Sequence, residues 1–502
     1  MKQMTLQNIT AACHGTYYGN ADLLSKEVTG IAIDSRKSEK DFLFVPLKGA
    51  RVDGHTFIPQ VMEKGALATL SEEVLDGMSY PYIHVKSCEQ ALADLAAFYR
   101  NTLDIKVVGI TGSVGKTSTK ETIASVLSQK YKVLKTDGNH NNDIGVPLTV
   151  FSITEEHEVA VLEMGIDQPG DMHKLGPITR PDIAVITNIG LAHLENFGTR
   201  EGTLKAKTEI FEYLKPNATV ILNGDDDKLS TVSSVQGKSP VFFGLSDKLP
   251  AYADEMEDLG LFGTDCTLHL PAGEIRVHIP VPGKHMIYNA LAAACTGLAL
   301  GLSLEEIQAG IAALRTIAGR TNLIQTDSLL IIDDCYNANP ISTMSSLDIL
   351  ATAKGRTVAV LGDMFELGTN EKELHYNTGA HASQDKIDVI CCIGELSQNT
   401  YEGAKALANG EVTRAHYARY LVQIGKVSND GQAFKRYLSG GKSCFVKAEW
   451  VDIPTAIDTI HAAGGVAVIA HPMRYNMTGK WIRRLIVDFK QWGGDGMEVS
   501  DS

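Results

Sequence analysis

Lys116 and Thr117 close the small-residue run Thr111-Gly-Ser-Val-Gly-Lys-Thr117, with Ser118 directly after. A short apolar stretch, Val107, Val108 and Ile110, precedes it, and Ile123, Val126 and Leu127 follow at helical spacing. Strand, glycine turn and helix start together make a phosphate-binding geometry. Backbone N–H groups at the helix N-terminus face the anion, and Gly112 and Gly115 let the backbone approach it. Lys116 would bridge the outer phosphates, and the Thr117 hydroxyl would reach Mg²⁺. The usual longer spacing wants glycine at 110, which is Ile110, so the fit is to the shorter Gly112-x-x-Gly115-Lys-Thr. A plain glycine-rich turn before a surface helix stays open on spacing alone.

Further residues carry related chemistry. Glu163 ends an apolar stretch and could give a hard oxygen to Mg²⁺ beside Thr117, or be a solvated strand-end acid. His193, in Asn188-Ile-Gly-Leu-Ala-His-Leu-Glu195, follows the same kind of strand end. Spacing leaves it between structural and metal-binding roles. Lys207 falls within the stripe Leu204, Ile210, Phe211 and Leu214, on a helix expected over 201–214, whereas Lys205 points away. An inward lysine must be paired, deprotonated or modified, unless it snorkels out at a domain junction. Asn139, Asn141 and Asn142 crowd one turn, suiting a polar ligand or simple turn chemistry. Arg320 precedes Asp333-Asp334-Cys-Tyr-Asn-Ala-Asn-Pro340, which gathers acids, amides and a phenol after a strand. An arginine beside a phosphate loop can stabilise charge in phosphoryl transfer. Asp34-Ser35-Arg36 and Lys48-Gly49 read, by themselves, as polar turns beside strands.

Alternating strand and helix patterns must position these groups. Strands are expected at 105–111, 158–163, 182–188 and 218–223, in a parallel α/β sheet whose ligands lie beyond the carboxyl ends. A further α/β unit begins near Arg320, with strands at 329–334, 357–364 and 388–394. The expected division is 1–100, 101–312, 313–400 and 401–502, consistent with a length of 502 residues. The net charge of -14 argues against a nucleic-acid scaffold but not against an anionic small molecule. The eight cysteines contain no CxxC pair. With no signal-peptide pattern and no long apolar run, they point to a reduced, cytoplasmic setting without a membrane span.

Taken together these segments resemble the Mur ligases. The match lies in Thr111 to Thr117, Gly138-Asn-His-Asn-Asn-Asp-Ile-Gly-Val-Pro147, Ala192-His-Leu-Glu195, Lys205-Ala-Lys-Thr-Glu-Ile-Phe211 and Gly362-Asp-Met-Phe-Glu-Leu-Gly368. Tyr336-Asn-Ala-Asn-Pro340 is similar to the branch that adds a D-alanyl-D-alanine dipeptide. The resemblance covers residues 1 to about 400. It implies a three-domain α/β architecture: a UDP-sugar-binding domain, a central P-loop parallel sheet, and a truncated Rossmann-like third domain. It implies ATP and Mg²⁺ as cofactors, with UDP-N-acetylmuramoyl-tripeptide and D-alanyl-D-alanine as substrates of an acyl-phosphate ligase, expected to be monomeric. Asp34, Ser35, Arg36, Lys48 and Gly49, with Asn139, Asn141 and Asn142, would bind substrate. Thr111 to Ser118, Asn289, Arg320, Asp334 and Asn337 would bind ATP. Thr117, Glu163, His193 and a carbamylated Lys207 would hold metal, and Lys116, Lys207, His193 and Arg320 would be catalytic. Met286 stands where many members have asparagine, which puts the adenine contact in question.

Residues from about 401 depart from that pattern. Thr413-Arg-Ala-His-Tyr-Ala-Arg419, Ala433-Phe-Lys-Arg-Tyr-Leu438 and Gly464-Gly-Val-Ala-Val-Ile-Ala-His-Pro472 resemble an internal part of a polymerase-and-histidinol-phosphatase (PHP) family phosphoesterase. His471 would be a metal ligand there, but the family's other ligand pairs are absent, and one histidine cannot assemble a multi-metal site. Strands near 443–447 and 466–470 are expected to cover the sheet edge that the truncated third domain leaves. Competing readings are another Mur-type or folylpolyglutamate ligase, a catalytically impaired chain that only binds UDP-sugar peptide and nucleotide, and a metal phosphoesterase.

Overall fold

The computed structural model describes residues 1–49, 52–75, 77–190, 194–316, 319–385, 387–407, 432, 435, 452–462, 465–469 and 478–497. The chain divides into two compact units, Met1–Ala408 and Asn409–Ser502.

The first unit begins with helix α1 (Leu6–Ala12), capped by the Thr5 side chain, and a five-stranded sheet. The strands are β1 (Thr16–Tyr18), β2 (Ile31–Ala32), β3 (Leu43–Phe44), β4 (Ala68–Ser71) and β5 (Tyr82–His84), in the order β1-β5-β4-β3-β2. All neighbours are parallel except β1 and β5. Helix α2 (Ile58–Glu63) precedes β4, and α3 (Cys88–Thr102) follows β5. Ser87 caps α3, and Cys88, Ala91, Leu92, Leu95, Ala96 and Tyr99 recur at helical spacing on its buried face. The Tyr99 hydroxyl donates to Ile153 O at 2.7 Å, fastening α3 to the next sheet.

That sheet has nine strands: β6 (Lys106–Thr111), β7 (Val133–Lys135), β8 (Val159–Glu163), β9 (Ile183–Ile186), β10 (Thr219–Asn223), β11 (Val241–Gly244), β12 (Ala251–Asp258), β13 (Thr264–Leu270) and β14 (Gly273–Ile279). The order is β14-β13-β12-β11-β10-β9-β6-β8-β7, parallel from β7 through β12 and antiparallel beyond. The four strands read from the sequence fall at β6, β8, β9 and β10. In β6, Val107 packs in a core shared with α3, α5 (Gly145–Phe151) and α6 (Asp171–Thr179). Val108 and Ile110 pack on the opposite face with α4 (Lys116–Leu127) and α9 (His285–Ala299). Burial on both faces is why the strand reads as a near-continuous apolar run. Because β8 and β9 flank β6 on opposite sides, the crevice after β6 is a topological switch point.

Helices α7 (Leu194–Phe197) and α8 (Arg200–Thr208) follow β9. The single helix expected over 201–214 tightens after Thr208 into a 3-10 turn, Glu209–Tyr213. The Thr208 hydroxyl bonds back to Leu204 O and Lys205 O where the winding changes.

After α10 (Leu304–Ala312), β15 (Asn322–Gln325) and β16 (Leu330–Asp333) form an antiparallel pair, and β17 (Val358–Leu361) and β18 (Val389–Cys392) a parallel pair. Helices α11 (Pro340–Ala351), α12 (Glu371–Gln384) and α13 (Ser397–Leu407) complete this region. Its core is small, built on Leu347, Ala359, Ala382 and Ile387. Leu329, Val360 and Ile393 stay exposed.

In the second unit, α14 (Ile453–Ala462) and α15 (Gly479–Gln491) pack Ile457 and Phe489 with Ala467 and Ile469. Strand β19 (Val468–Ile469) pairs in parallel with β20 (Gly496–Met497). The strand expected at 466–470 is seen as β19, which pairs inside its own unit. The strand expected at 443–447, and His471, lie outside the described residues. No helix among the described residues is long and apolar enough to cross a membrane.

Candidate active site

The turn after β6 is shaped by two glycines. Gly112 has φ +147° and Gly115, which caps α4, has φ +81°. A Cβ on Gly112 would lie 2.0 Å from Thr187 Oγ1, so only glycine fits. The segment after β9 clasps this turn. Asn188 Oδ1 accepts from Val114 N–H at 3.0 Å, its Nδ2 donates to Val114 O at 3.0 Å, and Thr187 Oγ1 donates to the same carbonyl at 2.6 Å. Ser113 N–H donates to Asn188 O, and Gly190 N–H to Ser113 Oγ. Asp226 Oδ2 accepts from Ile189 N–H, and Arg200 Nε donates to Ile189 O, both at 2.8 Å. The turn is thus held rigid from outside, which pre-forms its ring of N–H donors.

Lys116 folds back on the turn, its Nζ donating to Gly112 O at 2.8 Å. Burial lowers its pKa, Glu163 opposes that, and Arg320 adds to it. Thr117 Oγ1 donates to Glu163 Oε1 at 3.2 Å, and Asn141 Nδ2 donates to the same oxygen at 2.8 Å. Glu163 is 1% exposed, and its Oε2 accepts no hydrogen bond among the described residues. A buried carboxylate oxygen without a hydrogen bond, faced by Lys120 Nζ at 3.7 Å and set beside a threonine hydroxyl, fits a hard divalent cation such as Mg²⁺. Thr111 Oγ1, also buried, has no hydrogen-bond partner either.

Lys207 is 1% exposed, as its place in the apolar stripe implied. Its Nζ lies 5.8 Å from the centroid of the Phe197 ring. Burial pushes its pKa well below the ordinary value, Lys116 lowers it further, and Asp167 only partly opposes this. Burial therefore favours the neutral amine over the ammonium. His193 lies outside the described residues.

A cavity of about 560 Å³ opens from the turn, lined by Val114, Gly115 and Ser118 together with Asn289, Arg320 and Asp334. The Arg320 guanidinium lies over the Tyr336 ring, 4.3 Å from its centroid. Asp334 accepts from Thr321 N–H and from the Ser346 hydroxyl. Asn289 has both amide ends engaged: Oδ1 accepts from Thr119 Oγ1 at 2.9 Å, and Nδ2 points to Met286 Sδ at 3.2 Å. Asn337 is exposed on its loop and does not line the cavity. Phe243, Tyr288 and Asn223 form a wall that the sequence reading missed. Asn223 and Phe243 sit at the carboxyl ends of β10 and β11, which was a usable signal.

The N-terminal set sits apart, on loops that follow β2 and β3. Arg36 makes a forked pair with Asp34, holding that carboxyl down at about 2. Lys48 pairs with Glu72 at 2.7 Å, Gly49 N–H donates to Val52 O, and Ser35 O accepts from Lys64 Nζ. Asn139 is exposed. Asn142 Oδ1 accepts from Gly145 N–H at the start of α5, so its side chain serves the turn, whereas Asn141 reaches Glu163.

Three family profiles match in succession: the Mur ligase family catalytic domain over residues 27–100, the Mur ligase middle domain over 110–297, and the Mur ligase glutamate ligase domain over 319–438. The UDP-N-acetylmuramoyl-tripeptide–D-alanyl-D-alanine ligase of Bacillus subtilis is 39% identical over 409 residues, 80% of this chain and 88% of that protein. The crystal structure of MurF ligase from Thermotoga maritima in complex with ADP superposes with a TM-score of 0.68 at 30% identity, covering 78% of this chain and 91% of that one. A 5'-3' exoribonuclease of Haemophilus influenzae is 60% identical over 166 residues, 32% of this chain and 60% of that protein.

Proposed function

This chain belongs to the Mur ligase family, and from that premise we propose that it joins D-alanyl-D-alanine to UDP-N-acetylmuramoyl-tripeptide with ATP, a cytoplasmic step of peptidoglycan precursor synthesis. One observation carries the reading: Lys116, Thr117 and the open Glu163 carboxylate converge on a clasped phosphate turn, in a chain spanning 88% of a dipeptide ligase.

The chemistry has two steps. The tripeptide's terminal carboxylate attacks the γ-phosphorus of ATP, forming an acyl phosphate and releasing ADP. The amine of D-alanyl-D-alanine then attacks the acyl carbon, expelling phosphate and losing a proton to leave the new amide. The protein binds, orients and neutralises charge, and needs no covalent intermediate of its own. The N–H groups at the start of α4, from Gly115 to Ser118, receive the phosphates, while those of Ser113 and Val114 stay with Asn188 and shape the turn. Lys116 leaves Gly112 O for a phosphate oxygen, exchanging a neutral acceptor for a charged one. Arg320, held by Tyr336 across the cavity, meets the transferring group. Asn289 and Asp334 serve the nucleoside end. Asp34, Ser35, Arg36, Lys48 and Gly49 take the UDP moiety, and Asn139, Asn141 and Asn142 the peptide end. Thr117 and Glu163 would hold Mg²⁺, with His193 and Lys207; the ion, when bound, neutralises phosphate charge. Lys207 would act there as its carbamate, because a neutral buried amine is the form that adds carbon dioxide.

We assign no hydrolytic role to the residues after about 400. A second reading, a chain that binds UDP-tripeptide and nucleotide without turnover, is favoured by the small third-domain core and its exposed Leu329, Val360 and Ile393. Phosphate release from ATP separates the two: release requiring both UDP-tripeptide and D-alanyl-D-alanine supports the ligase, and tight UDP-tripeptide binding without release supports the alternative.

A further inference from the structure

Lys120 is 1% exposed, yet it carries a charge into the centre of the first unit. It lies one helical turn beyond Thr117 on α4, facing away from the nucleotide cavity. Its Nζ donates to Thr136 O at 2.7 Å and to Gly138 O at 3.4 Å. It also stands 3.4 Å from Glu121 Oε1 and 3.7 Å from Glu163 Oε2. Taking an ammonium out of water costs several kcal/mol, so an apolar side chain would serve better if this position only filled space.

What Lys120 holds is specific. Thr136 and Gly138 begin the loop that carries Asn139, Asn141 and Asn142. The rest of that loop is exposed from Asp137 to His140. Among the described residues its other anchors are Thr136 N–H to Val161 O at 3.0 Å, Gly165 N–H to Asn141 O at 2.8 Å, Asn141 Nδ2 to Glu163, and the N–H groups of Gly145 and Val146 to Asn142. Glu163 N–H in turn donates to Thr136 Oγ1 at 2.9 Å. Lys120 therefore sits at the root of the loop and ties it to the phosphate helix.

We propose that Lys120 is a positioning residue for the peptide-bearing substrate: its ammonium fixes the 136–142 loop against α4, so that Asn141 is presented between Glu163 and that substrate. The inference rests on the ligase reading above. It assigns Lys120 to acceptor binding and not to ATP, although Lys120 shares a helix with the phosphate turn.

The test uses the full chain, with Lys120→Met, which keeps length and loses every donor, and Lys120→Gln, which keeps a donor and loses the charge. Steady-state kinetics are read beside thermal melting. The expected result is a KM for UDP-N-acetylmuramoyl-tripeptide raised about tenfold in Lys120→Met and less in Lys120→Gln, in line with one lost charged hydrogen bond. KM for ATP and for D-alanyl-D-alanine should stay within about twofold. If Lys120→Met does not fold, Lys120→Gln alone carries the comparison. Equal rises in all three KM values, or a lower melting temperature and kcat with every KM unchanged, would make Lys120 merely structural and overturn the inference. A wild-type chain that neither turns over nor binds UDP-tripeptide overturns the ligase reading first. An active wild type whose variants show no split overturns only the role of Lys120.

Discussion

Lys116 and Lys207 are two lysines drawn into one interior, and they solve their burial differently. Lys116 keeps a carbonyl partner and lies within the influence of Glu163. Replacing it with methionine should cut ligation at least ~100-fold, the scale of losing one preorganised charge-stabilising donor. Steady-state phosphate release checks this, and near-wild-type turnover would count against a phosphate role. Lys207 has no carbonyl partner among the described residues, and burial pushes its pKa well below the ordinary value, which makes a sharper case. In the unfolded chain it binds a proton up to about 10.5, and in the folded chain burial lowers that value well below. The unfolded state therefore holds the extra proton, and stability rises with pH between the lowered folded value and 10.5. In carbon-dioxide-free buffer Lys207→Met should be more stable than wild type at pH 7, with an advantage that shrinks toward pH 10. Urea melts at both pH values measure it; a gap that does not change with pH would mean that Lys207 is charged in the fold.

At the scale of elements, the site depends on the β6–α4 turn being clasped by the segment after β9. Gly112→Ala would put a methyl group 2.0 Å from Thr187 Oγ1 at a φ of +147°. That should cost about 1–3 kcal/mol through overpacking and backbone strain, and lower the melting temperature accordingly. Asn188→Leu removes both side-chain bonds to Val114 while Thr187 Oγ1 remains. The turn should stay folded but loosen, so KM for ATP should rise about tenfold and melting move little, as expected for about 1 kcal/mol of lost hydrogen bonding. A KM rise confined to the dipeptide would contradict the clasp. These elements also show what the sequence could reveal. The β6 and β8 strands were legible because burial on both faces leaves long apolar runs. Lys207 was legible from its place in an apolar stripe. Lys120 carried the same signal, three residues before Ile123 and seven before Leu127, and was hidden by its neighbours in a polar-looking run, Lys116 to Glu121. The clasp was not legible, because Asn188 meets Val114 across 74 residues and no local pattern records that.

Over the whole molecule, the family's three profiles follow one another from residue 27 to 438, past the junction expected near 400. The first two domains have large cores, and the third has a small one with exposed strand residues. The sequence announced the third domain's strands by their apolar runs but not their pairing, which depends on long-range register. If that region limits turnover, its effect should fall on kcat and on the affinity for ATP or the dipeptide, since Arg320 and Asp334 come from it. The most direct test is phosphate release from ATP with UDP-N-acetylmuramoyl-tripeptide, with and without D-alanyl-D-alanine. The account expects sustained release only when both are present, with one amide formed per phosphate. Folded protein that binds UDP-tripeptide yet releases no phosphate with both substrates would contradict it.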